Sequence, residues 1–236
     1  MTVFVLVHGG WHGGWCWRRL LPLLRAGDHE VHAPTLTGLG DRAHLAAPGV
    51  GLATHVEDVV ALLAMEDLSE VVLVGHSSGG IVITGVAQRV PDRIAELVYL
   101  DAFVPQPGQS LLDLLPAPRR EFFLAQVDAG RVVLDWEAAM DGWAVRDETD
   151  RAWMRTRLRP HPVGGLADPL PADPVPDLPR RFVHCTDKPG ADSFAGFAAA
   201  AREDPAWRFA ELDTGHDGMI TAPDRVADAL LVDVFR

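Results

Sequence analysis

The pentapeptide Gly75-His76-Ser77-Ser78-Gly79 constrains this chain more than any other stretch. Four apolar residues, Val71-Val72-Leu73-Val74, precede it and read as a buried strand. Ile81 to Val90 follows as a helical run that stops at Pro91. A strand that turns at once into a helix brings the two backbones close to collision. The positions two before and two after the apex must therefore lack bulk, and glycine there also tolerates strained φ/ψ. The glycines alone are a weak signal, and the flanking strand and helix give it strength. Ser77 sits at the apex.

The same alternation runs through most of the chain. Short apolar runs at Val3–Val7, Glu30–Ala33, Val71–Val74, Leu97–Leu100, Phe182–Cys185 and Phe209–Leu212 predict strands. Between them, apolar residues recur at helical spacing: Trp17, Leu20, Leu21 and Leu24 before Gly27; Leu52, Val56, Val59 and Leu63; Phe194, Phe197, Ala198 and Ala201; and Val226 with Leu230 after Pro223. Thr54 and Glu57 have the spacing of a capping box. Such βαβ units predict an α/β fold, a mostly parallel six-stranded sheet with helices on both faces. One domain over residues 1–236 is expected. Residues 104–180 break the pattern with prolines at both ends and Phe122, Phe123, Trp136, Trp143 and Trp153 between them. This insertion is expected to form a helical cap over the carboxyl edge of the sheet, where open α/β sheets place their sites.

The formal net charge of −12 over 236 residues argues against nucleic acid or an anionic membrane as partner. Lys188 is the only lysine among the 21 basic residues. Cys16 and Cys185 have no metal or redox spacing and are expected to be reduced thiols. Met1-Thr2 runs directly into the first strand, and no apolar stretch is long enough to span a bilayer, so a cytoplasmic location is expected. Oligomeric state is not legible here, and a homodimer is allowed.

A strand, a serine turn and a helix together resemble the nucleophile elbow of α/β-hydrolases. A serine hydroxyl is a poor nucleophile until an oriented base takes its proton. In these enzymes the base follows the serine in the chain, which leaves His161, His184 and His216. His184 lies inside a strand and His161 between two prolines. His216, in the glycine-flanked loop Asp213 to Gly218 after the last strand, is the expected base. Asp187, just past the Phe182–Cys185 strand, is the expected acid. Asp101, ending the Leu97–Leu100 strand, is its rival, with Asp192 and Asp213 behind. An oxyanion needs backbone donors. Ser78, at the start of the helix, offers one amide, and the loop His8-Gly9-Gly10 offers another. His8 and His12 are four apart, but glycines interrupt any helix between them, and no metal site is expected.

The run His8-Gly9-Gly10-Trp11-His12-Gly13-Gly14-Trp15-Cys16-Trp17 is similar to the HGxxHGxWxW opening of one α/β-hydrolase group. That group holds plant methylesterases, hydroxynitrile lyases and related bacterial esterases. The resemblance implies a triad of Ser77, His216 and Asp187, with an oxyanion hole from the amides of Gly10 and Ser78. Gly9, Trp11, Phe122, Phe123, Trp136, Trp143 and Trp153 are the expected substrate-binding residues, and no cofactor is implied. The lyases carry threonine where this chain has Gly9 and lysine where it has Asp217, which favours the esterase branch. The turn Thr186-Asp187 is also one residue shorter than in relatives. The expected activity is hydrolysis of a small to medium, partly apolar ester. The rivals are a biosynthetic tailoring reaction (elimination, cyclisation or a lyase step) by the same residues, and a ligand receptor without catalysis.

Overall fold

In the computed structural model, which describes residues 1–232, each expected strand is present; the last four positions of the expected 1–236 domain lie outside the described residues. The chain runs β1 (Val3–Val7), α1 (Leu21–Ala26), β2 (Glu30–His32), α2 (Leu52–Met65), β3 (Val71–His76), α3 (Gly79–Arg89) and β4 (Ile94–Leu100). Between β4 and the next long strand lie α4 (Ala117–Ala125), β5 (Val127–Asp128), β6 (Arg131–Val132), α5 (Trp136–Gly142), α6 (Glu148–Arg155), β7 (His161–Pro162) and α7 (Gly164–Ala167). The chain then returns to the body through β8 (Arg180–Cys185), α8 (Ala195–Glu203), β9 (Trp207–Leu212), α9 (Gly218–Thr221) and α10 (Pro223–Leu231).

The six long strands form one parallel sheet in the order β2-β1-β3-β4-β8-β9. All six residues of β3 are buried, as a strand covered on both faces requires. The order reverses direction between β1 and β3. Right-handed crossovers therefore put α1 on one face and α2, α3 and α8 on the other. α10 joins α1, and α2 packs on α3. The reversal opens a crevice at the carboxyl ends of β1 and β3. The loop holding Gly9 and Gly10 and the turn holding Ser77 both emerge there.

Several strands are longer than their apolar runs. β4 begins at Ile94 and β8 at Arg180, because charged residues inside them are paired within the sheet. Glu96 accepts from Arg181 Nε at 3.1 Å and Nη2 at 3.0 Å, and from Arg208 Nη2 at 2.7 Å. Glu96 and Arg181 are both buried. The apolar stripes fall inward as expected: Leu52, Val56, Val59 and Leu63 are all buried. The Thr54–Glu57 box does not form. α2 starts three residues earlier than that box requires, and Asp168 Oδ2, from beyond α7, accepts the Leu52 amide at 3.2 Å. The insertion holds four helices and also a small antiparallel sheet, β5-β6-β7, that its sequence did not signal. Ala129 and Gly130, both at positive φ, turn β5 into β6. Cys16 and Cys185 are free and buried. No helix among the described residues is long and apolar enough to cross a membrane.

Removing Glu96 as Glu96→Ala should leave the buried Arg181 guanidinium uncompensated. The expected loss is about 3–5 kcal/mol of unfolding free energy, read from the urea midpoint.

Candidate active site

Ser77 follows β3 directly and has a φ of 55°, a left-handed conformation that a residue with a side chain adopts only under local constraint. The cause is the crowding expected at this turn. A methyl group on Gly75 would lie 2.6 Å from the Gly79 carbonyl oxygen, and one on Gly79 would lie 2.7 Å from that of Val7. The Ser77 amide donates to the Leu100 carbonyl at 3.3 Å, and the Ser77 carbonyl accepts from Phe103 at 3.1 Å. Ser78 caps α3 at the positive end of its dipole, where the Gly80 and Ile81 amides donate to the Ser77 and Ser78 carbonyls at 3.1 and 3.2 Å.

His216 lies in the loop between β9 and α9, buried, with Phe194 stacked on its ring at 5.0 Å. Its Nδ1 is 2.6 Å from Asp101 Oδ2, so this nitrogen donates to the carboxylate and Nε2 remains as the proton acceptor. Two further contacts fix the backbone of His216. Its amide donates to the Trp143 carbonyl at 3.0 Å, and its carbonyl accepts from His76 Nε2 at 3.0 Å. Since His76 immediately precedes Ser77, the serine turn and the His216 loop are tied together. Asp101 is fully buried at φ 44°; its Oδ1 accepts the Cys185 amide at 3.2 Å, and Lys188 Nζ also bonds Oδ2. Burial raises the Asp101 carboxyl, but the hydrogen bonds and charges of His216 and Lys188 outweigh it and hold the group below the usual carboxylate range.

Asp187, the expected acid, is not brought to His216. Its carboxylate forms a two-point pair with the guanidinium of Arg146 from the insertion: Arg146 Nη2 donates to Oδ1 at 2.8 Å, and Nη1 donates to Oδ2. That pairing pulls the Asp187 carboxyl below its ordinary value. Directly after β8 the chain presents Lys188 inward to Asp101 and leaves Asp187 facing Arg146. The rival acid, Asp101, occupies the expected place. His184 pairs with Asp192 at 2.7 Å, away from His216.

Gly10 and Ser78, the two residues expected to supply oxyanion donors, are neighbours: a methyl group on Gly10 would lie 3.4 Å from Ser78 Oγ. Gly9 packs directly on the serine turn: a methyl group there would be 2.9 Å from Ser77 Cβ and from His76 Nδ1. A threonine at this position would require the turn to move. His8 shapes the loop by donating from Nδ1 to the Gly9 carbonyl at 2.8 Å and accepting the Leu36 amide on Nε2 at 3.0 Å. Both nitrogens are thus used by a neutral ring, whose pKa burial lowers to about 3. His161 also reaches this loop, and sequence reasoning gave it no role. Its Cδ2 would lie 3.3 Å from a methyl on Gly10, and its Nδ1 donates to the Pro162 carbonyl at 2.8 Å. Only the pairing of β7 with β6 brings it there, and no local motif announces that.

Of the expected aromatic residues, three converge. Trp11 donates to the Val132 carbonyl at 3.0 Å and lies 5.5 Å from Phe123 and 6.3 Å from Trp143, centroid to centroid. Phe122 is 46% exposed under Arg119, and Trp153 packs on Trp15 between Arg19 and Arg157, so neither joins this group. Trp136 packs, half-buried, against the core. Among the described residues, His76, His216 and Asp217 bring potential metal-ligating atoms within 4.8 Å of one another. An ion there would share His216 with Asp101 and take the base out of the proton-transfer arrangement.

The profile described as "Alpha/beta hydrolase family" matches residues 4–229. A carbendazim hydrolyzing esterase of Nocardioides sp. (strain SG-4G) is 39% identical over 240 residues, covering 98% of each chain. Methylesterase 1 of Arabidopsis thaliana is 35% identical over 118 residues, 45% of this chain and 41% of the relative. Among solved structures, an extracellular alpha/beta-hydrolase from a Paenibacillus species superposes with a TM-score of 0.88 at 27% identity, covering 98% of both chains.

The two carboxylates are separable by proton NMR. The low-field imidazole N–H resonance of a histidine–carboxylate bond should be present in the wild type and in Asp187→Asn, and absent in Asp101→Asn. Its loss in Asp187→Asn alone would return the acid to Asp187.

Proposed function

Because the chain belongs to the alpha/beta hydrolase family, we propose that it is a serine carboxylesterase working through Ser77, His216 and Asp101 on a small to medium ester with an apolar portion. The observation that carries this reading is the 2.6 Å bond from His216 Nδ1 to a buried Asp101 carboxylate, in a loop tied to a serine turn at positive φ. Asp101 fixes the tautomer, so Nε2 is the nitrogen that receives the Ser77 proton.

The reaction follows in two halves. Ser77 Oγ attacks the ester carbonyl carbon while His216 Nε2 takes the hydroxyl proton. The carbonyl electrons move to oxygen, and the amides of Gly10 and Ser78 hold the resulting oxyanion, each donor worth roughly 10²–10³ in rate. The C–O bond to the alcohol then breaks, and His216 gives its proton to the leaving oxygen. A water, deprotonated by His216, attacks the acyl-serine, and collapse returns Ser77 and frees the acid. The imidazolium formed twice in the cycle is stabilised by Asp101. These steps need only the named groups and water.

The insertion at 104–180 is assigned as the cap over this site. Trp11, Phe123 and Trp143 form an apolar aromatic surface beside Gly10 and His216, which supports an ester with a flat or branched apolar part. Relatives named for methyl ester, carbendazim and pyrethroid hydrolysis support the same class. Gly9, where a side chain would press on Ser77, supports an esterase over a cyanohydrin lyase, because the threonine hydroxyl of the lyases has no room there.

Ser77→Ala should reduce kcat for p-nitrophenyl butyrate by about 10⁵-fold or more and abolish labelling by a fluorophosphonate probe, seen by intact-protein mass spectrometry. Asp101→Asn should cost about 10³–10⁴ in kcat. Asp187→Asn should stay within a few-fold of the wild type. Retained turnover in Ser77→Ala would sink the assignment.

A further inference from the structure

Directly behind His216 lies a charged group that the reaction above does not use. Asp217 is fully buried, and neither of its carboxylate oxygens has a hydrogen-bond partner. Its nearest nitrogens are His12 Nε2 at 3.4 Å and His76 Nε2 at 3.8 Å. The His76 nitrogen spends its hydrogen on the His216 carbonyl. His12 is placed differently. Its Nδ1 stands 2.7 Å from the Gly10 carbonyl, which only accepts, so Nδ1 carries a hydrogen. Were that the ring's only proton, Nε2 would turn a lone pair toward a buried carboxylate, and both groups would stand unsatisfied in a dry site. A second proton, on Nε2, converts that conflict into an ion pair.

We propose that His12 is held as an imidazolium by Asp217, and that this buried ion pair positions the Gly10 loop against the His216 loop. His12 grips the Gly10 carbonyl from one side, and Asp217 is the residue next to the base. The pair thus joins the backbone that binds the oxyanion to the loop that carries the proton acceptor. Both are positioning residues, since neither touches the reacting atoms. The kinetic half of this inference rests on the esterase reading, and the protonation state does not.

The surroundings of the pair agree with it. His12 is faced by Asp217 from the loop before α9, by His76 from β3 and by His8 from its own loop; Trp15 stacks on it at 5.3 Å and Trp143 of the insertion lies at 5.2 Å. His8 and His76 are both lowered to about 3, chiefly by burial, so neither competes as the cation. Around Asp217 stand His216, His76 and the Cys16 thiol, which burial pushes well above its ordinary value and keeps neutral. Burial opposes both charges of the pair, yet their mutual attraction raises His12 and lowers Asp217 to about 2. A raised histidine contributes stability that is complete below its ordinary 6.5 and is lost as pH climbs through the raised value. A lowered carboxyl contributes stability above its ordinary range, lost as pH falls through about 2. The pair is therefore intact from the lowered value of Asp217 up to the raised value of His12, and fails as pH climbs through the latter.

The test uses the full chain with ¹⁵N-labelled histidine, the His12 ring being assigned through His12→Gln. In the wild type at pH 7, both His12 nitrogens should be protonated; in Asp217→Asn, the second proton should be lost at least about one pH unit lower. The alkaline limb of kcat for p-nitrophenyl butyrate should follow the same displacement. At its optimum, Asp217→Asn should lose about 10- to 100-fold in kcat with KM within twofold, after correction for sites titrated by fluorophosphonate. A loss that merely reflects unfolding would lower the titrated fraction and leave the pH profile in place, which overturns the positioning role. A singly protonated His12 in the wild type at pH 7 overturns the ion pair outright, whether or not the variant folds. Failure of the probe to label wild-type Ser77 would instead sink the esterase reading and leave the NMR result to decide the pair.

Discussion

Glycine at 75 and 79 lets the end of β3 and the start of α3 pass at a distance no side chain would allow. Much of the site follows from that near-contact. It forces Ser77 into a left-handed conformation and lifts its side chain out at the carboxyl edge. It aims the positive end of α3 at the space beside the hydroxyl. It also sets His76, the residue before Ser77, where its ring binds the His216 carbonyl. The turn is costly in backbone strain, and the fully buried β3, hydrogen-bonded to β1 and β4 on either side, holds it in place.

Around this turn the polar groups are organised in two layers. The outer one is Asp101 and His216, with Lys188 as a second donor on the same carboxylate oxygen. A carboxylate shared by two donors is fixed in orientation and stays ionised despite complete burial. The inner layer is Asp217 with His12, linked through His76 to the outer one. Buried ion pairs contribute little net stability, because desolvation offsets their attraction. What such a pair supplies is a fixed relation between chain segments, here loops that follow β1 and β9.

The insertion takes part in the site as well as lying beside it. The Trp143 carbonyl holds the His216 amide, Val132 holds the Trp11 indole, and the Arg159 amide donates to the Trp11 carbonyl at 3.0 Å. Changes in the insertion therefore reach the base and the first loop through backbone bonds, and not only through the shape of an apolar pocket.

The six strands, the serine turn and the position of His216 in a glycine-flanked loop were legible in the sequence, because each depends on local chemistry: apolar period, glycine at a crowded turn, chain order. The carboxylate that meets His216 was not. Asp101 and Asp187 both end strands, and the choice fell to a guanidinium 41 residues upstream that captured Asp187, while Lys188 turned inward. The same limit hid the role of His161, the Asp168 cap on α2 and the Asp217–His12 pair. Each joins groups far apart in the chain, and no local pattern records which distant partner a side chain will meet. The sequence by itself determined where a strand, a tight turn and a helix must form, with a serine at the apex. Only the packed structure decided which charges share a buried space, since that follows from how separate segments are brought together when the sheet closes.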